Sequence, residues 1–199
     1  MAVEALDIAE SAGGFAVQGF VVDVPDAPAE LEGYPVHTLD TLPEFPASCR
    51  LVAAIISTRR RAFVEAMAAR GCRFATVAHP TAQISRRASV GEGCLIHPGT
   101  IVASNTSIGG HVVVNRGALI GHDNRIGAFT TVGPGANLAG ALCVGEGVYI
   151  GVGAVIRDHL RIGAGAVVAA GAVVVNNVEA NTLVGGLPAR VLKTGVKGL

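Results

Sequence analysis

An aliphatic residue returns at every sixth position over nearly half of this chain. The series Ile84, Val90, Ile96, Val102, Ile108, Val114, Ile120, Ile126, Val132, Leu138, Val144, Ile150, Ile156, Ile162, Val168 and Val174 contains only Ile, Val and Leu, without a gap. Self-similarity at a fixed period marks a repeat architecture and constrains the fold before any other property. An α-helix repeats every 3.6 residues and would be weakened by so much Gly and Val. A lone amphipathic strand repeats every two. A period of six fits a solenoid whose coil has three flat sides, with one hexad per side and eighteen residues per coil. The aliphatic residue then points inward and stacks on its equivalents one coil away, at about the 4.7–4.9 Å strand spacing.

Two neighbouring positions are restricted as well. Gly109, Gly121, Gly127, Gly133, Gly145, Gly151 and Gly163 directly follow the aliphatic residue, and the expectation is that they turn the corner with positive φ. Two places before it stand small or modest side chains such as Ala88, Cys94, Thr100, Ala118, Thr130, Ala154 and Ala172. The chain has 27 Gly and no Trp, a mix that suits narrow interior layers.

Charge excludes several partners. Fifteen Lys and Arg balance fifteen Asp and Glu, so neither nucleic acid nor an acidic membrane surface is indicated. No charged-then-apolar leader opens the chain, and no apolar run approaches the roughly 20 residues of a membrane span. Cys49, Cys72, Cys94 and Cys143 form no CxxC, and free thiols in a reducing cytoplasm are the expected state.

Residues 1–78 read differently from 79–199, which predicts two domains. A helix is predicted over Met1–Ala12, a strand over Gln18–Asp23 and a buried strand over Leu51–Ser57. A second helix over Arg59–Arg70 is closed by Gly71, its Arg59-Arg60-Arg61 start reading as solvated, and a short strand follows at Phe74–Ala78. Strands alternating with helices predict a small α/β unit with a parallel sheet.

A small α/β unit, then His79-Pro80, then gapless hexapeptides, then Gly185-Gly186-Leu187-Pro188-Ala189-Arg190 resembles the bacterial sugar acetyltransferases of the hexapeptide-repeat superfamily, of the sialic acid O-acetyltransferase and nucleotide-amino-sugar N-acetyltransferase type. The likeness covers nearly the whole chain, and Asn115 to Asp123 (NRGALIGHD) is its most function-specific segment. The resemblance implies a left-handed parallel β-helix preceded by a Rossmann-like α/β domain. It implies a cytoplasmic homotrimer with active sites between adjacent solenoids, acetyl-CoA as co-substrate, no metal, and a small sugar or sugar nucleotide as acceptor. Met1–Ile8 matches the helix that follows the family's first strand and Gly-rich phosphate loop, so the α/β domain is expected to be truncated at its N-terminus. Asp23 stands alone where the family has two acids, and Ile56-Ser57 stands where relatives have Gly-Asp or Gly-Asn.

The resemblance also implies roles. His122 is the expected catalytic base, since an imidazole ordinarily titrates near neutrality, and Asp123 is expected to orient it. Gly140, eighteen residues on, is expected to leave space beside His122 and to offer its N–H to the thioester carbonyl. Thr131, Gly140, Val152 and Ala170 are the expected acetyl-CoA contacts, Thr131 standing where some relatives carry a second His. Asp23, Ser57 and Asn115 are the expected acceptor contacts, and His79, His97 and Asn115 are expected to stack in successive coils. Transfer is expected to be direct, because no Cys or Ser–His pair marks a covalent nucleophile. An amine and a hydroxyl acceptor both need the same base and are not separated. Two other functions compete: a non-catalytic scaffold, and a zinc carbonic anhydrase of the same fold, which the spacing of His97, His111 and His122 does not match.

Overall fold

The structure, a computed structural model, describes residues 1–24, 26–42, 48–58, 60–196 and 198. It is dominated by a parallel β-solenoid of two-residue strands running from Val77–Ala78 to Val173–Val174. Face one holds Val77–Ala78, Leu95–Ile96, Val113–Val114, Thr131–Val132, Tyr149–Ile150 and Val167–Val168. Face two runs from Gln83–Ile84 to Val173–Val174, and face three from Ser89–Val90 to Arg161–Ile162. Each strand pairs in parallel with the strand eighteen residues away, as in Val113↔Thr131, Leu119↔Asn137 and Arg125↔Cys143. The aliphatic series is the core: Ile96, Val114, Val132, Ile150 and Val168 are completely enclosed. The small residues two places earlier fill the rest of each layer, with Cys94, Thr100, Ala118, Thr130, Ala136 and Ala154 also fully buried. Removing each such aliphatic side chain from water stabilises the fold by about 1.5–3 kcal/mol.

The glycines after the aliphatic residue have a different task from the expected one. Their backbones lie outside the left-handed region; what excludes a side chain there is the next coil. A Cβ on Gly121 would stand 2.7 Å from the carbonyl carbon of Ala139. The left-handed residue comes two places later, and Asn105 (φ 59°), Asp123 (φ 57°) and Gly135 (φ 63°) occupy it in different coils. Glycine is needed there only for conformation, so Asn, Asp, His and other residues are tolerated.

The solenoid ends in an antiparallel hairpin, Thr182–Gly186 with Ala189–Thr194, laid on the edge of face one. The N-terminal residues form α1 (Ala2–Ala12), β1 (Phe20–Val22), β2 (Glu30–Leu31), β3 (Tyr34–Thr38) and α2 (Arg60–Ala69). β1 pairs in parallel with β3, which pairs antiparallel with β2. The strand expected at Leu51–Ser57 is reduced to a single parallel bridge, Leu51↔Phe74. Beyond it the backbone closes on itself, Ala54 N–H donating to the Val52 carbonyl and Ile55 N–H to that of Ala53. Phe74 thus pairs with Leu51, while Val77–Ala78 becomes the first strand of face one. Among the described residues the α/β unit is therefore a mixed three-stranded sheet and two helices.

This unit is packed on the solenoid. Ile8 of α1 clusters with Val77, Leu95 and Val113 of face one, and Val64 and Met67 of α2 cluster with Ala53 and Phe74. Face one is covered in this way. Face two stays open, exposing Ile101, Leu119 and Val155.

Candidate active site

The corner between faces two and three carries Ser104, His122, Gly140 and Asp158 in register. Asp123 N–H donates to the Ser104 carbonyl, Ala141 N–H to that of His122 and His159 N–H to that of Gly140. His122 is 68% exposed, and its Nδ1 lies 2.7 Å from Asp123 Oδ2. The second carboxylate oxygen of Asp123 accepts a bond from Asn105 Nδ2 at 3.1 Å. These two contacts, that with His122 first and that with Asn105 second, hold the Asp123 carboxyl below the usual carboxylate range. Because Asp123 occupies the left-handed corner position, its side chain turns back along the edge toward its neighbour in the preceding coil.

The imidazole packs over Gly140. A Cβ at Gly140 would stand 2.8 Å from both Cε1 and Nε2 of His122, so a side chain there would displace the ring. With Nδ1 engaged by Asp123, Nε2 is the ring atom that looks out beside this gap. The Gly140 N–H meets no acceptor among the described residues. The His122 ring and a backbone N–H without an acceptor among the described residues therefore sit in adjacent coils of one corner.

Asn124 makes the corner rigid. It is fully buried in a layer position held elsewhere by Ala, Thr, Cys, Val or Leu. Its Nδ2 donates to the carbonyls of Gly121 and Ala139, and its Oδ1 accepts the Leu142 N–H at 2.6 Å. The residues preceding His122 and Gly140 are thereby tied to one side chain. Asn105 and Asn124 escaped the sequence reading, although the eighteen-residue step from Asp123 reaches Asn105 and Asn124 is the lone Asn in a column of Ala, Thr, Cys, Val and Leu.

The other expected contacts lie elsewhere. Val152, more than half exposed, and the exposed Ala170 lie in the corner between faces one and two. Asp23 is exposed just after β1, and Ser57 is half-buried before α2. Asn115 is enclosed, its Nδ2 donating to the Val132 carbonyl at 3.1 Å. It stacks with His79 and His97, whose N–H groups step along face one to Ile96 and Val114. His97 Nε2 is buried with no hydrogen-bond partner among the described residues, and burial lowers its pKa.

Thr131 departs furthest from expectation. It is completely buried beneath the N-terminal unit. Its hydroxyl donates to the Ile56 carbonyl at 2.7 Å and accepts from Arg60 Nη1 at 2.8 Å, which withdraws it from any co-substrate. Arg60 likewise contradicts the solvated helix start expected of Arg59-Arg60-Arg61: it is 0% exposed, while Arg59 lies outside the described residues. A cation at a helix start gives no sequence signal of burial. Arg61 is partly exposed, ion-paired with Glu146 and stacked over Phe129. His97, His111 and His122 stand at different corners of the coil. Among the described residues no three His, Cys, Asp or Glu side chains cluster closely enough to hold a metal ion, and no helix is long and apolar enough to cross a membrane.

No protein-family model matches the sequence, and the search of curated proteins gave no match. Solved structures do match. WeeI from Acinetobacter baumannii AYE is 31% identical, over 96% of this chain and 94% of its own, with a TM-score of 0.88. PerB from Caulobacter crescentus, in complex with CoA and GDP-perosamine, is 30% identical over 96% and 92%, with a TM-score of 0.86; a variant structure with the same two ligands is described as perosamine N-acetyltransferase. The acetyltransferase domain of PglB from Neisseria gonorrhoeae FA1090, in complex with acetyl coenzyme A, is 29% identical over 96% and 93%, with a TM-score of 0.87. With these likenesses spanning almost its whole length, the chain belongs to the bacterial sugar acetyltransferases of the hexapeptide-repeat superfamily.

Proposed function

We propose that this enzyme transfers the acetyl group of acetyl-CoA directly to an amino group of a nucleotide-linked sugar, with His122 as general base. In the proposed reaction the acceptor nitrogen attacks the thioester carbonyl while His122 Nε2 takes its proton. Asp123 and Asn105 hold the ring in place and favour the imidazolium that forms. The Gly140 N–H donates to the oxyanion of the tetrahedral intermediate. Collapse breaks the carbon–sulfur bond, and the departing CoA thiolate receives the proton from His122. The observation that carries this reading is the His122 ring, bonded through Nδ1 to Asp123 and seated on a glycine whose N–H is unused.

Acetyl-CoA is proposed to lie against Gly140, Val152 and Ala170. In one chain these residues occupy two different edges, so the slot needs two copies. The edges flank face two, whose exposed Ile101, Leu119 and Val155 would bury apolar surface around a threefold axis. That packing supports a homotrimer in which the two–three corner of one chain meets the one–two corner of the next. The unit formed by residues 1–78 is proposed to present the acceptor through Asp23 and Ser57, with Asn115 acting from inside its own coil. The free thiols favour a cytoplasmic setting.

The test is release of CoA thiol from acetyl-CoA with a panel of UDP- and GDP-linked 4-amino sugars, for the wild type and His122→Ala. Turnover with at least one sugar is expected, with a loss of about 10²-fold or more in the variant. Full activity in His122→Ala would remove the base assignment. No turnover by a folded protein would favour the scaffold reading.

A further inference from the structure

Arg60 is a buried guanidinium without a carboxylate partner among the described residues. Its neighbours are neutral acceptors drawn from three parts of the chain. Nε donates to the His111 carbonyl at 2.8 Å and Nη2 to the Thr130 carbonyl at 2.7 Å, joining two successive coils at the corner between faces three and one. Nη1 donates to Thr131 Oγ1 at 2.8 Å and faces the carbonyls of Ile55, Ile56 and Ser57 at 3.4, 3.2 and 3.2 Å. Those three carbonyls belong to the segment that fails to continue as a strand. Burial lowers the pKa of the guanidinium only to about 10, so the charge persists at neutral pH. Taking a cation out of water is costly unless protein acceptors replace the water. A side chain placed so deeply fixes geometry, and what it fixes is the irregular loop carrying Ser57.

We propose that Arg60 and Thr131 form a latch that sets the Ile55–Ser57 loop against the solenoid, and that both are positioning residues for the sugar acceptor. The guanidinium supplies donors that a neighbouring strand would otherwise give. Thr131 closes the circuit, accepting from Arg60 and donating to the Ile56 carbonyl. The acceptor half of this inference rests on the acetyl-transfer reading above; the latch itself does not.

Thr131→Val, nearly isosteric, is the mild test, with Thr131→Ser as its rescue and Arg60→Lys as the stronger variant. Two readouts are taken on the full-length protein. In Thr131→Val, hydrogen exchange of a peptide spanning residues 53–58 is expected to quicken about tenfold, the scale of one lost buried hydrogen bond, with exchange in the solenoid unchanged. The KM for the amino-sugar nucleotide is expected to rise by a similar factor, with kcat and the KM for acetyl-CoA held within about twofold. Thr131→Ser is expected to restore both. A merely structural role would lower melting temperature and leave the two KM values alone. Unchanged exchange overturns the latch, and faster exchange with an unchanged acceptor KM overturns the positioning role. Wild-type silence on every acceptor would sink the acetyl-transfer reading and the positioning role with it, leaving exchange to decide the latch by itself.

Discussion

Gly140→Ala separates the position of the proposed catalytic ring from its presence. The added Cβ would lie 2.8 Å from Cε1 and Nε2 of His122, against an ordinary carbon contact of about 3.5–4.0 Å. The ring must therefore recede by about 0.7–1.2 Å. Gly140 is outside the left-handed region, so alanine brings no backbone strain. The displaced imidazole is 68% exposed and swings into solvent without opening the core. The expected stability change is under about 1 kcal/mol, or some 2–4 °C in a chain of this length. The 2.7 Å contact with Asp123 cannot survive such a shift unaltered. A misplacement near 1 Å costs about 10²-fold in rate. The assay is CoA thiol release at saturating substrates, alongside thermal melting. Because the variant keeps its backbone N–H, a loss of kcat reports the ring. A folded Gly140→Ala protein with kcat within threefold of the wild type would refute the claim that this packing places the base.

Other consequences follow from the same geometry. Asn105→Ala, losing one bond to the Asp123 carboxylate, is expected to lower kcat about fivefold with little change in either KM, and an unchanged kcat would confine Asn105 to the surface. The two kinds of glycine are expected to differ in melting experiments. Gly127→Ala drives a Cβ to 2.5 Å from the Gly145 and Glu146 backbone and should cost about 3 kcal/mol. Gly135→Ala, at φ 63° with nothing within 4 Å, should cost about 1 kcal/mol, and the reverse order would contradict the corner assignment. Burial lowers the pKa of both His97 and His111, so the unfolded chain takes up their protons first as pH falls. Their contribution is complete above the ordinary value of 6.5 and drains away between there and the lowered folded values, at no more than about 1.4 kcal/mol per pH unit for each proton. Urea titrations from pH 7.5 to 5 should show that decline, and His97→Met should flatten it. The Cys94 thiol is pushed up to about 11 by burial, leaving about one thiolate in 10³ at pH 8. Iodoacetamide with mass mapping should modify the exposed Cys143 first and reach Cys94 only on unfolding.

Most of the solenoid and its candidate catalytic corner were legible in one dimension. Inward stacking needs only a repeated choice of side chain, and the period of six with a coil of eighteen placed His122 against Gly140 before any coordinate did. Asn105 was within reach of the same arithmetic. The N-terminal unit was not legible in this way, because its contacts do not repeat. Leu51–Ser57 has the β-branched and aliphatic content of a buried strand. A strand is defined by a partner, and after Leu51 this one has a guanidinium instead.

The sequence by itself therefore determined the repeat, the interior column, the in-register stacking and the resemblance to sugar acetyltransferases, since each depends on local residue choice at a constant interval. Only the tertiary structure decided which glycines bear conformation and which bear close packing, because that depends on the distance to a coil eighteen residues away. It also decided that Thr131 and Arg60 are buried together, since a charge at a helix start is solvated unless another part of the chain folds over it and supplies acceptors.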